Sequence, residues 1–190
     1  YQDWIVTATP RSDQTITFAS IPVKNTLSPD FELNATSSSG LPVSFAVVSG
    51  SSFATVTSDG NVSINGTGVV TVRASQDGNA SFNTAPTVDQ NVTINKAPQT
   101  ITFGSIPNQN LSAATYSLSA TASSSLGVSF TSSDSSIVSV TGNTATLVSG
   151  GTVQITANQG GNSIYDAAPA ITQNLTVLDD TLKIQTITWT

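Results

Sequence analysis

Few residues in this chain have side chains suited to chemistry. Its 190 residues include no His and no Cys, so nucleophile–base pairs of the usual kinds are absent. Two carboxylates can serve as acid and base, and Asp and Glu number 11. The chain is internally duplicated, however, and the acids do not recur in the second copy. Asp77 stands where Gly160 does, Asp89 where Thr172 does, and Asp166 where Asn83 does. That pattern reads as scattered solvated charge, and no catalytic residue is expected. Asp59-Gly-Asn61 and Asp77-Gly-Asn79 put oxygen ligands beside a turn glycine, an arrangement a hard cation can use. Both lack the denser acidic spacing of a loop site, and hairpin turns favour the same residues for backbone reasons. Asp179 and Asp180 are the best-placed pair for an ion between domains, but no metal or cofactor is expected.

Four further sets of residues are candidates. Phe82 and Tyr165 hold matching places in the two copies. Exposed, they can stack on a sugar ring or a partner; folded back, they plug the open end of a domain. Gln90 and Gln173 interrupt apolar alternation at matching positions, which suits amides bonded to main chain near the first strand. Asn34, Asn61, Asn91 and Asn174 head Asn-x-Ser/Thr triplets, which arise by chance in a chain this rich in Asn, Ser and Thr. Lys24, Lys96 and Lys183 do not match between copies, which weighs against a repeated Lys–Asn crosslink.

The elements that position these residues follow from the repeat. Gln99-Thr-Ile-Thr-Phe103 repeats at residues 14–18 and returns as Gln185-Thr-Ile-Thr-Trp189, at spacings of 85 and 86 residues. A fixed period of this length marks a small domain used in tandem. The expected division is 1–13, the last strand of a preceding unit or a free N-terminal strand; 14–95, domain 1; 96–98, a short linker closing on Pro98; 99–178, domain 2; and 179–190, a linker and the first strand of a following unit or a donor strand. The residue before a proline is held extended, so the first joint should bend less than a Gly/Ser linker.

Within domain 1, apolar residues alternate at Ile16 and Phe18; at Phe31, Leu33 and Ala35; at Val43 and Phe45; at Ala54 and Val56; at Val62 and Ile64; at Val70, Val72 and Ala74; and at Val88, Val92 and Ile94. Domain 2 repeats the plan from Ile101 to Val177, and Ile21-Pro22 and Ile106-Pro107 kink each first strand. Seven short alternating strands with turns every 8–12 residues predict two antiparallel sheets packed face to face. The predicted fold is all-β, two tandem seven-stranded sandwiches.

Composition narrows the partners. Net charge is −6 with five Lys and Arg, so no basic face exists to neutralise phosphates, and nucleic acid is not an expected partner. No apolar run approaches the roughly 20 residues of a spanning helix, so no membrane insertion by this segment is expected. With no Met, the chain is expected to be a processed product or a piece of something longer. Lack of Cys is neutral about compartment, and the Thr/Ser/Asn-rich, Lys-poor composition leans extracellular.

Leu118-Ser-Ala-Thr-Ala-Ser, Val128-Ser-Phe-Thr-Ser-Ser and Gly151-Thr-Val-Gln-Ile-Thr-Ala-Asn-Gln-Gly-Gly-Asn, with the repeated Gln-Thr-Ile-Thr-Phe, resemble bacterial immunoglobulin-like repeats of large surface and secreted proteins. Domain 1 carries the same pattern, including Leu41-Pro-Val-Ser-Phe45. The resemblance implies cysteine-free immunoglobulin-like sandwiches in tandem, found in stalks, adhesins, fibres and enzyme accessory modules. It supplies a place and a shape rather than a ligand.

Two functions follow as expectations. The first is a non-catalytic stalk or fibre module supporting adhesion, with neighbouring repeats or copies of itself as partners. In that case the terminal segments bearing Trp4, Val6, Ile184, Ile187 and Trp189 can exchange as strands, and a head-to-tail contact of this kind does not close. The second is a carbohydrate-binding accessory module contacting host or matrix glycans.

Overall fold

The computed structural model describes residues 9–180; Trp4, Val6, Ile184, Ile187 and Trp189 lie outside the described residues. The chain divides into two compact units between Ala97 and Pro98. Unit 1 contains β1 (Ile16–Phe18), β2 (Lys24–Asn25), β3 (Phe31–Glu32), β4 (Ala35–Ser37), β5 (Ser44–Ser49), β6 (Ala54–Val56), β7 (Asn61–Ile64), β8 (Gly68–Ser75) and β9 (Val88–Asn95). Unit 2 contains β10 (Ile101–Thr102), β11 (Gln109–Asn110), β12 (Thr115–Ser117), β13 (Thr121–Ala122), β14 (Ser129–Ser132), β15 (Val138–Thr141), β16 (Thr144–Leu147), β17 (Gly151–Asn158) and β18 (Ile171–Leu178). One 3-10 turn, Leu111–Ala113, is the helical element among the described residues. No helix among them is long and apolar enough to cross a membrane.

Each unit is a two-layer sandwich with the same pairing. One layer runs β2-β9-β8-β5 in unit 1 and β11-β18-β17-β14 in unit 2. In the other, β4 pairs with β1 while β3 pairs with β7, and β7 with β6. Unit 2 repeats this with β13-β10 and β12-β16-β15. The nine elements reduce to the seven strands expected from the sequence because two strands change partner midway. Leu33 N–H donates to Gly60 O at 2.9 Å and Ala19 N–H to Asn34 O at 3.1 Å, so residues 31–37 form one strand shared between two neighbours. The first strand crosses between layers at Ser20-Ile21-Pro22, where proline cannot donate to a ladder. It then pairs parallel as β2 with β9, Lys24 opposite Ile94; β11 pairs likewise with β18, Gln109 opposite Val177.

Strand alternation decides what is buried. Val62, Val70, Val72, Val92 and Ile94 are at most 2% exposed in unit 1, as are Leu118, Val138, Ile155, Leu175 and Val177 in unit 2. A side chain of this kind contributes about 1.5–3 kcal/mol when fully buried. Each core is centred on one tilted aromatic pair, Phe18–Phe45 at 5.4 Å and Phe103–Phe130 at 5.3 Å. The outermost expected core positions, including Phe31, Val43, Tyr116 and Val128, are half-buried at the sandwich rim.

Because each unit has its own core, Phe130→Ala should cost unit 2 about 3–5 kcal/mol. Calorimetry should then show one unfolding transition moved and the other in place; a joint shift of both would show that the cores are not independent.

Candidate functional site

The best-built polar arrangement lies at the start of each unit. Gln14 and Gln99 head the repeated motif, and they are 3% and 4% exposed. Gln14 Nε2 donates to Gln76 Oε1 at 2.6 Å and to Asn83 O at 2.6 Å, while Ser39 Oγ donates to Gln14 Oε1 at 2.5 Å. Gln99 Nε2 donates to Gln159 Oε1 at 2.5 Å and to Asp166 O at 2.5 Å, and Ser124 Oγ donates to Gln99 Oε1. One amide therefore ties the first strand to the loop before the last strand and to the turn after β4 or β13. Both of its donor positions and its acceptor are used.

The loop is shaped to receive it. Gln76 Oε1 also accepts from Gly78 N–H, and Gln159 Oε1 from Gly161 N–H, each at 2.6 Å. Asn79 Oδ1 accepts from Ser81 and Phe82 N–H, and Asn162 Oδ1 from Ile164 and Tyr165 N–H. Gly78 and Gly161 have φ of +78° and +75°, and a Cβ there would lie 2.3 Å from Phe82 O or 2.4 Å from Tyr165 O. Only glycine fits. The repeated Gln-x-Gly-Asn of this loop and the leading Gln of each strand are thus halves of one arrangement. Sequence reasoning missed it, although both halves are visible as repeats.

The other candidates sort as follows. Gln90 Nε2 donates to Phe18 O at 3.1 Å and Gln173 Nε2 to Phe103 O at 2.9 Å, the bonds to the first strand that the sequence suggested. Phe82 and Tyr165 are half-buried on their loops, and neither belongs to the core cluster of its unit. Lys24 Nζ lies 4.3 Å from the Phe31 ring centroid, and Asn91 Oδ1 accepts from Thr71 Oγ1 at 3.0 Å. No group of three or more metal-ligating side chains occurs among the described residues.

The carboxylates are held singly on the surface. Thr57 Oγ1 donates to Asp59, Ser136 to Asp134, and Ser112 to Asp180. Arg73 forms a two-bond pair with Asp89 at 2.8 and 2.9 Å. These bonds hold the four carboxyls below their ordinary value of 3.8. At the places of Arg73 and Asp89, unit 2 has Thr156 and Thr172, whose hydroxyls are 3.0 Å apart.

Two outcomes follow. Gly161→Ala should destabilise unit 2 by more than about 1 kcal/mol, read by denaturant unfolding, with unit 1 unchanged; tolerance of the alanine would contradict the loop geometry. A carboxyl whose folded value is depressed adds stability above its unfolded value and loses it as pH falls through the folded one. Thermal stability should therefore hold from neutrality down to about pH 5 and fall below 3.8, which a pH series of melting curves checks.

No family model matches the sequence, and no curated protein sequence matches it. Among solved structures the chain is similar to Drosophila N-cadherin EC1-4, with 14% identity and a TM-score of 0.34 over 88% of this chain and 51% of that one. It is similar to the S-layer protein SbsC domains 4 and 5, with 14% identity and a TM-score of 0.35 over 90% of this chain and 100% of that one. It is also similar to the human desmocollin-1 ectodomain, with 9% identity and a TM-score of 0.30 over 89% of this chain and 41% of that one. The chain spans about half the length of the N-cadherin fragment.

Proposed function

We propose that this chain is a non-catalytic structural module of an extracellular bacterial surface protein, of the immunoglobulin-like tandem-repeat kind. It acts as part of a stalk or fibre supporting adhesion, and copies join head to tail by addition of a terminal strand. The observation that carries this reading is what the two units share. They have one topology, one aromatic core pair and one amide arrangement in common. Their acids and outer-face pairs differ, as Arg73–Asp89 against Thr156–Thr172 shows. Among the described residues, the features held in common serve folding.

Strand addition is supported by sequence chemistry. Gln185-Thr-Ile-Thr-Trp189 repeats the opening strand of each unit, and Ile187 and Trp189 alternate with Thr as one apolar face requires. A second reading, a carbohydrate-binding accessory module, draws on the half-buried rings of Phe82 and Tyr165. Loss of glycan-array signals on Phe82→Ala and Tyr165→Ala would favour it.

The test of the first reading is size-exclusion chromatography with negative-stain imaging, comparing the chain with and without residues 182–190. Assemblies that disappear on truncation are the expected result. If both forms stay monomeric at high concentration, head-to-tail assembly is wrong.

A further inference from the structure

Unit 2 has an open groove of about 520 Å³ beside the strand formed by β12 and β13. Leu118 and Phe130 form its floor, at 2% and 8% exposed. Ser125, Gly127 and Asn143 are exposed at its rim, and no charged residue lines it. Its wall is backbone. Strand β16 pairs no further than Thr144 opposite Ser117, and Leu118 N–H donates to Asn143 O at 2.8 Å. Two residues on, Ala120 presents its N–H and C=O toward the same side, where the chain has already turned away at Gly142-Asn143. Ala120 has no backbone hydrogen-bond partner among the described residues. An exposed strand edge of this kind is a template for another strand.

The turn flanking the groove differs from its counterpart at three positions. Unit 1 has Ser37, Gly40 at φ +73° and Pro42; unit 2 has Ala122, Ser125 at φ +63° and Gly127. A left-handed serine is uncommon and costs stability. Replacing proline by glycine removes the ring that would stand at the rim, and a Cβ at Gly127 meets nothing within 4 Å.

We propose that this groove is the acceptor site for the segment 185–190 of a second copy of the chain, which adds as a strand along Ala120. The inference rests on the head-to-tail reading and names its receiving surface. No side chain of the segment Gln185-Thr-Ile-Thr-Trp-Thr190 is charged, so none is stranded as an ion on the apolar floor. Ile187 and Trp189 fall on one face and the Thr residues on the other, matching an apolar floor and a wet outer side. Trp4-Ile-Val, the other terminal candidate, is apolar on both faces.

Topology favours a second copy over the same chain. From Asp180, bonded to Ser112, the same chain's segment would have to pass over the β12–β16 pairing to reach Ala120, whereas a strand from another copy has no such limit.

The test uses the full chain. Sedimentation velocity at rising concentration is compared for the parent, Gly127→Pro, Trp189→Ala and Trp4→Ala, with amide hydrogen exchange at Ala120 in the parent. Gly127→Pro and Trp189→Ala should each weaken assembly by about ten-fold or more, Trp4→Ala should not, and exchange at Ala120 should slow as assembly proceeds. Assembly with Ala120 unprotected, or sensitive to Trp4→Ala alone, overturns this acceptor site and leaves head-to-tail assembly standing. A chain monomeric at millimolar concentration overturns both. If Gly127→Pro does not fold, the exchange of Ala120 in the parent decides.

Discussion

A primary amide removed from water must find partners for two N–H bonds and a carbonyl oxygen, and an unmet need costs about 1–3 kcal/mol. Gln14 and Gln99 meet it by reaching two segments that are distant in sequence, the loop before the last strand and the turn after β4 or β13. Gln14 and Asn83 are 69 residues apart, and Gln99 and Asp166 are 67 apart. Each bond therefore closes a loop nearly as long as its unit, and it does so where the sheets no longer hold the chain. The positive-φ glycine, the asparagine turn and the serine after β4 or β13 make sense as the surroundings this amide requires. Each unit's first strand and last loop are locked at one point, beside a core that belongs to that unit alone.

The first strand shows how pairing and polarity work together. It leaves one layer after Phe18 or Phe103, and the carbonyl released there is taken up by Gln90 or Gln173 rather than left bare. The strand then joins the other layer in parallel beside the last strand. Differences between the units gather elsewhere, on the outer faces and at the turn bearing Gly40 or Ser125. A surface salt bridge such as Arg73–Asp89 is worth little, so its replacement by two threonines leaves the sandwich intact. The Gly40 and Ser125 turn is different, because there unit 2 accepts a strained residue and an opened groove. Departure from the shared plan with no gain to the fold is where an acquired role is best sought.

The sandwich was legible because its core strands alternate strictly: Val70, Val72 and Ala74, or Val153, Ile155 and Ala157, have every second side chain buried. The bonds of Gln90 and Gln173 were legible because an amide in an apolar register must bond something. The partnership of Gln14 with Gln76 was not, since nothing local in either residue names a partner 62 positions away. The exchange of partners within residues 31–37 was hidden for a related reason. Alternation reports which face is buried, and it is silent about which neighbour is paired. The groove beside Ala120 depends on where β16 stops, which the Gly142-Asn143 turn marked without indicating what it left uncovered.

Two buried amides close the two sandwiches, one in each unit. Nuclear magnetic resonance of the side-chain amide protons of Gln14 and Gln99 tests this closure most directly. Both pairs of Nε2 protons should exchange with solvent far more slowly than those of exposed glutamines, to similar extents in the two units. Exchange at the rate of a free amide in either unit would contradict it.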